Sequence, residues 1–252
     1  MNIDTNASPR KIARIAGMLY LVIIITGLFA EMVVRSNLIV AGDAAATAKN
    51  IVDSESLFRL GFVSDLAMIM ADVAIALLFY MLLKPVSNVL ALMAAFFRLA
   101  QAAALGINLL NMFFALQLLG GAGYLGVLNA DQSNALALMF LEGHAAGYRL
   151  GLVFFGFSIL ILGVLLVKSD RFPRLLGYGM FVASFIYIAD SAAYFMLTDY
   201  AAVEGLFDVL LSGPVVLAEL SLCMWLLWKG VRVPSQDTRT LASAPQIEHI
   251  GA

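Results

Sequence analysis

The sequence is poor in the residues that bind metals and form disulfides. Its 252 residues include one cysteine, Cys223, and two histidines, His144 and His249. A single cysteine excludes a disulfide within the chain and a cysteine-based metal cluster. One histidine outside the polar C-terminal segment is too few for a three-histidine zinc centre or bis-histidine haem ligation, although carboxylates could supply other zinc ligands. We therefore expect no metal site and no cofactor.

Charge is also scarce. Charged residues make up 13% of the chain and the net charge is -2. The basic residues are scattered instead of forming one patch, which argues against a nucleic-acid partner. The sequence also lacks a glycine-rich phosphate loop, an HExxH helix and a GxSxG elbow, motifs that identify many nucleotide enzymes and hydrolases. Neither nucleic-acid binding nor one of these enzyme classes is therefore expected.

Apolar residues are what the sequence has in excess. They make up 62% of it, and the mean hydropathy is +0.94. In hydrocarbon every backbone N–H and C=O group must be paired internally, and continuous apolar runs exclude the alternating pattern of a barrel. We predict an all-α protein, a six-helix transmembrane bundle in one domain over 1–232, with a polar tail over 233–252. The predicted spans are about 12–34, 58–83, 88–119, 146–167, 174–197 and 206–228.

The segments outside the apolar runs predict short helices and one kink. The AAATAKNIVDSES segment after the first span is expected to form a short surface helix. Asp131 to His144 is expected to form an amphipathic helix at the membrane interface. Pro214, inside the sixth span, removes a helix hydrogen bond and predicts a kink. Glycines within the spans indicate close helix packing; they are Gly27, Gly61, Gly151, Gly156, Gly163 and Gly177.

Lysine and arginine residues set the expected orientation. More of them flank the N-terminus, the turns at Lys84 and Lys168 and the C-terminal tail than the other connections. Under the positive-inside rule, both termini lie in the cytoplasm and the short amphipathic helices are extracytoplasmic. The first apolar segment runs to Val34 without a small-residue cleavage site, so we expect it to remain as a membrane anchor.

Polar residues inside the spans predict a common interior site. Asp72 precedes Pro85 by 13 residues and Arg98 follows it by 13, so the two side chains should meet near the membrane midplane. Glu219 lies about 15 Å along its span from Lys229, at the same depth. Other polar residues form faces on the second, third and fifth spans; they are Asp65, Gln101, Asn108, Asn111, Tyr187, Asp190 and Tyr194.

A second polar group is expected at the extracytoplasmic mouth of this site. It consists of Glu31, Arg59, Glu142, His144 and Arg149. Glu142 and His144 are two residues apart, so on one continuous helix they point in different directions. This spacing makes a metal site at the mouth a weak hypothesis.

Two hairpins have similar sequences. Residues 58–63 read FRLGFV and residues 148–153 read YRLGLV, and each opens a span that ends in a basic, proline-containing turn. Spans two and three and spans four and five are therefore either two copies of one hairpin or a chance similarity of common residues.

Three segments carry a resemblance to a known family. They read RIAGMLYLVIIITGLFAE, FRLGFVSDLAMIMADVAIALLFYMLLKPV and GLVFFGFSILILGVLLVKSDRFPRLLGYGMF. The pattern resembles the uncharacterised bacterial membrane family DUF4386 over most of residues 10 to 232. The resemblance implies a multi-pass protein of the bacterial cytoplasmic (inner) membrane, and it assigns no catalytic or ligand residue.

The intramembrane acids favour a protein that binds, or transports with proton participation, a small polar solute or cation. A charge at the bilayer centre costs about 2.5 to 3.5 kcal/mol, and an acid without a cationic partner can take up a proton or bind a cation. The alternatives are an intramembrane enzyme acting on a lipid-soluble substrate and a non-catalytic scaffold or sensor in which the Asp72–Arg98 pair fixes helix register. The bilayer is a partner in each case, and completion of the cavity by a second copy of the chain stays open.

Overall fold

The computed structural model describes residues 8–121, 123 and 126–231. In this part the chain is helical and contains no strand, which confirms the all-α prediction. A short helix, α2 Ala44–Asp53, follows the first long helix, as the AAATAKNIVDSES segment predicts. The predicted tail over 233–252 lies outside the described residues. Among the described residues, six helices are long and apolar enough to cross a membrane: α1 Pro9–Leu38, α3 Glu55–Leu83, α4 Asn88–Leu119, α5 Ala130–Lys168, α6 Arg174–Met196 and α7 Ala201–Trp228.

The six long helices close a ring in chain order. Each packs on the next, and α7 packs back on α1, while α2 lies against α5. Consecutive long helices run in opposite directions, so the ring has two distinct ends. The termini end holds Pro9, Trp228 and the turns after α3 and α5, and the loop end holds α2 and the connections after α4 and α6. Buried faces of all six helices therefore converge on the middle of the ring.

Helix α5 differs from the predicted arrangement. The residues from Asp131 to His144 are helical, as predicted, but they continue into the fourth span without a break. A capping box starts the helix, in which the Asn129 side chain accepts from the Gln132 backbone and the Gln132 side chain accepts from the Asn129 backbone. Contact with α4 holds the first part of α5 against the ring instead of flat on the membrane surface.

In the part of the chain that the structure describes, two π-helical turns interrupt the long helices, both toward the loop end. One, at Leu211–Val215, contains Pro214, where the kink was predicted. Helix α7 begins at Ala201 instead of residue 206, so the loop predicted from Thr198 to Gly205 is shorter. The other π-helical segment is Phe29–Arg35, which the sequence did not indicate. It lets α1 continue to Leu38, past the predicted end of the first span.

Glycines mark the closest helix contacts, as predicted. A Cβ atom at Gly61 would lie 2.7 Å from Val34 Cγ1, at the α3–α1 contact. A Cβ atom at Gly177 would lie 2.5 Å from Val167 Cγ2 and 2.7 Å from the Gly163 carbonyl oxygen, at the α6–α5 contact. These distances are too short for any larger residue, so the glycines allow the helix backbones to approach each other.

Candidate functional site

An ion pair occupies the middle of the ring. Arg98 of α4 donates from Nε to Asp72 Oδ1 at 2.7 Å, and its Nη2 lies 2.7 Å from the same oxygen. Both residues are buried, with 2% and 3% of their surface exposed. Their spacing on either side of Pro85 in the α3–α4 turn places them at one depth. Such a pair in low dielectric is strongly held once formed, because separating it leaves two unpaired buried charges.

Aromatic rings from three helices surround the Arg98 guanidinium. Its Cζ atom lies 5.8 Å from the ring centres of Tyr20 and Phe79 and 5.0 Å from that of Phe155. Cation–π attraction of this kind offsets part of the cost of burying the charge. The guanidinium therefore ties α1, α3 and α5 to α4.

Glu219 of α7 is connected to this aromatic layer through Tyr187. Tyr187 of α6 donates its hydroxyl hydrogen to Glu219 Oε1 at 2.9 Å, and the Tyr187 ring meets Phe155 edge-on at 5.3 Å. Glu219 is attracted electrostatically by Arg98 and repelled by Asp72. Among the described residues, no cationic nitrogen lies within 4.0 Å of its carboxylate. The central cluster thus contains two buried acids and one arginine.

The space beside Arg98 is small. It is a void of about 10 Å³, lined by Arg98, Ser158 and apolar side chains of α3, α4 and α5. That volume is close to the minimum that a water molecule needs. Phe79 and Phe155 pack beside the guanidinium, and Phe79 also lines this void, which has no room for a solute larger than water. The larger polar cavity predicted at this depth stays a prediction.

A second cluster lies toward the loop end, around Arg35. Its Nη1 lies 2.5 Å from Asp65 Oδ2, and its Nε donates to Glu31 Oε2 at 2.8 Å. The guanidinium also lies 5.6 Å from the ring centre of Tyr148. Arg35 was expected outside the membrane span. The π-helical segment that ends at Arg35 places this side chain against α3 instead of in a loop.

The polar residues of α4 contact two different helices, α3 and α5. Gln101 lies beside the Asp72 carboxylate in the central cluster. Asn108 donates from Nδ2 to the backbone oxygen of His144 at 2.8 Å, and Asn111 donates to Asn108 Oδ1 at 2.9 Å. Asn108 and Asn111 therefore join α4 to α5 through these hydrogen bonds.

A third cluster surrounds Arg149 of α5, also toward the loop end. Its guanidinium lies 4.3 Å from the ring centre of Tyr194 and near two acids, with Nε 3.9 Å from Asp190 Oδ2 and Nη2 3.8 Å from Glu204 Oε1. Tyr200, between α6 and α7, donates its hydroxyl hydrogen to Asp190 Oδ1 at 2.6 Å. Burial, and then this hydrogen bond, raise the pKa of Tyr200 to about 12.

The residues predicted at the mouth do not form one group. Glu31 joins Arg35, Arg149 forms its own cluster, and Arg59 pairs with Glu55 in the first turn of α3. Glu142 is exposed and His144 is buried, because they point in different directions on the continuous helix α5. No group of three or more His, Cys, Asp or Glu residues suited to a metal ion occurs in the described part of the chain.

Comparison with known proteins identifies the family. A domain of unknown function, DUF4386, matches residues 15–230. The chain belongs to the DUF4386 family. An uncharacterised protein from Archaeoglobus fulgidus is 28% identical to this DUF4386 protein over 165 residues, which is 64% of this chain and 78% of that relative. No solved structure matches the chain. The function of this DUF4386 protein must therefore be argued from its own residues.

Five polar residues of these clusters were not predicted from the sequence: Tyr20, Arg35, Tyr148, Tyr200 and Glu204. Tyr20 lies in the first span near the depth of Asp72, and a tyrosine among lipid-facing residues at that depth was the available signal. Arg35 was missed because the first span was predicted to end at Val34, whereas α1 continues to Leu38. Tyr148 precedes Arg149 in the YRLGLV segment, whose similarity to residues 58–63 indicated a repeat and not a site.

Proposed function

We propose that this DUF4386 protein binds a small cation or polar solute and moves it across the membrane with proton participation. The observation that carries the proposal is the arrangement of two buried acids, Asp72 and Glu219, around one buried cation, Arg98, from three different helices. In the family's expected setting, a bacterial inner membrane with both termini in the cytoplasm, this cluster separates the two aqueous sides.

The charge balance of the cluster favours this role. Arg98 compensates Asp72 directly, whereas Glu219 accepts a hydrogen bond from the neutral Tyr187 hydroxyl. An ionised Glu219 at this depth leaves one uncompensated negative charge, which is costly in low dielectric. Either a proton or a bound cation removes that cost. Competition of the two for one carboxyl is a physical basis for proton-linked exchange.

The path to Glu219 would start at the loop end and requires movement. Glu219 is 9% exposed and accepts a hydrogen bond from Tyr187, whose ring packs against Phe155. The π-helical turn Leu211–Val215 lies just before Glu219 in α7, and such turns are frequent at functional sites. We place the hinge of this movement at that turn, because Pro214 leaves one backbone carbonyl of the helix without its usual partner.

Flux measurements in proteoliposomes test the proposal. The vesicles contain a pH-sensitive dye and receive a panel of inorganic cations, small amines and amino acids. We expect Glu219→Gln to abolish solute-dependent proton flux while the protein stays folded. Glu142→Gln is the matched control, because it makes the same chemical change at an exposed position. Wild-type flux no greater than that of protein-free vesicles across the panel would refute the proposal, as would full activity of Glu219→Gln.

A further inference from the structure

Tyr20 is a buried polar residue near the central cluster, and the charges of Asp72, Arg98 and Glu219 do not explain its role. It is completely buried in α1, its ring meets Phe79 edge-on at 6.2 Å, and Arg98 lies above its face. Its hydroxyl oxygen has no hydrogen-bond partner among the described residues. Buried tyrosine hydroxyls normally have a partner, so this one calls for a physical explanation.

Several polar atoms near the Tyr20 hydroxyl also lack a hydrogen-bond partner among the described residues. Arg98 Nη1, Asp72 Oδ2 and Gln101 Oε1 are also buried without a hydrogen-bond partner in the described part of the chain. Tyr20 interacts electrostatically with Asp72 and Arg98 and also with Glu219. The ring order explains this position, because α1 packs between α3, which carries Asp72, and α7, which carries Glu219.

We infer that Tyr20, Arg98 and Gln101 form a binding site for water at the centre of the membrane domain, and that this water links Asp72 to Glu219. The unpartnered atoms include a donor, Arg98 Nη1, and an acceptor, Gln101 Oε1, and the Tyr20 hydroxyl is both. A bare cation is repelled by Arg98 and an anion by the two acids. Water both donates and accepts, so one molecule satisfies unpartnered atoms of both kinds.

The water between Asp72 and Glu219 allows a proton transfer from one carboxyl to the other. This role of the water rests on the proposed function. The Glu219 carboxyl gives a proton to the water, and the water gives another of its protons to the Asp72 carboxylate. Glu219 thereby becomes a carboxylate, Asp72 becomes a carboxylic acid, and the water is unchanged. Tyr20 orients the water and loses no proton overall, so it is a positioning residue.

Infrared spectroscopy of the full chain in nanodiscs tests the water site directly. Difference spectra after a pH jump are recorded in ordinary water and in water labelled with ¹⁸O, so that bands of bound water shift. We expect a shifted band in the wild type that is lost in Tyr20→Phe and also in Gln101→Met. Tyr178→Phe, the same change at a position that is 52% exposed, should keep it. Absence of the band from the wild type, or its persistence in both Tyr20→Phe and Gln101→Met, would overturn the inference.

Proton flux separates this inference from the proposed function. Tyr20→Phe should lower solute-dependent proton flux at least tenfold, and Tyr178→Phe should leave it unchanged. A water band that depends on Tyr20 in a protein without flux would support the site and refute transport. Flux that requires Glu219 but is the same in Tyr20→Phe would support transport and refute the role of Tyr20.

Discussion

The middle of the ring and its loop end contain the same groups in different surroundings. Each cluster has one arginine, two acids and at least one tyrosine. Around Arg35 and Arg149, the second acid is well exposed: 64% of the Glu31 side chain and 50% of the Glu204 side chain reach the surface. Around Arg98, the second acid is Glu219, which is 9% exposed and hydrogen-bonded by Tyr187.

This difference assigns different roles to similar groups. An exposed carboxylate keeps most of its hydration, so its charge needs no partner and its ion pairs contribute little stability. A buried carboxyl must be neutralised by a proton, a cation or an arginine. Arg98 is already engaged by Asp72, so Glu219 is the group whose charge state is expected to change during function.

Breaking the central pair should have the largest effect on stability. We expect Asp72→Asn to lower the free energy of unfolding by about 3–5 kcal/mol, because it leaves the Arg98 charge buried and uncompensated. Replacing both residues, by Leu at 72 and Met at 98, should restore most of this loss. Unfolding in detergent, followed by circular dichroism, measures both. A single substitution with wild-type stability would show that the pair is not held in low dielectric.

Separating α5 from α6 should have an intermediate effect and disturb the central and Arg149 clusters together. A Cβ atom at Gly177 collides with Val167 and with the Gly163 backbone. Gly177→Ala is therefore expected to lower the free energy of unfolding by about 1–3 kcal/mol, because it overpacks the contact. Gly106→Ala is the control, because among the described residues no atom of a neighbouring helix lies within 4 Å of the added Cβ. Equal melting temperatures for the two variants would contradict the close contact.

Weakening the cluster around Arg149 should lower the free energy of unfolding by less than Gly177→Ala does. The arginine is partly exposed and its nitrogens lie 3.8–3.9 Å from the acids. Tyr200→Phe removes the hydrogen bond to Asp190, and we expect a loss of about 0.5–1.5 kcal/mol in the same unfolding assay. A loss as large as that of Asp72→Asn would remove the distinction between the two regions.

The smallest expected effect is a dependence on alkaline pH that comes from Tyr200. Its ordinary pKa is 10.0, and the folded protein raises it to about 12. As pH rises through this interval, the unfolded chain releases the proton first, so the free energy of unfolding decreases. Tyr200→Phe should make stability between pH 10 and 12 less dependent on pH. An identical dependence in both proteins would show that Tyr200 ionises normally.

The sequence predicted the helices and the central residues because both depend on distances along the chain. Hydrophobic length defined six spans, and equal spacing from Pro85 paired Asp72 with Arg98. The position of Arg35 was not predictable in this way, because it depends on a π-helical turn. The small size of the void beside Arg98 was also not predictable, since the packing of Phe79 and Phe155 around Arg98 is set by three helices together.

A double-mutant cycle between Arg98 and Glu219 tests the central claim most directly. The free energy of unfolding is measured for the wild type, Arg98→Met, Glu219→Gln and the double variant, so that the effect on Asp72 cancels. If the two residues face one interior site, the cycle gives an interaction energy of about 0.5–3 kcal/mol. If the effects add within about 0.3–0.5 kcal/mol, the residues act independently and the shared site is contradicted.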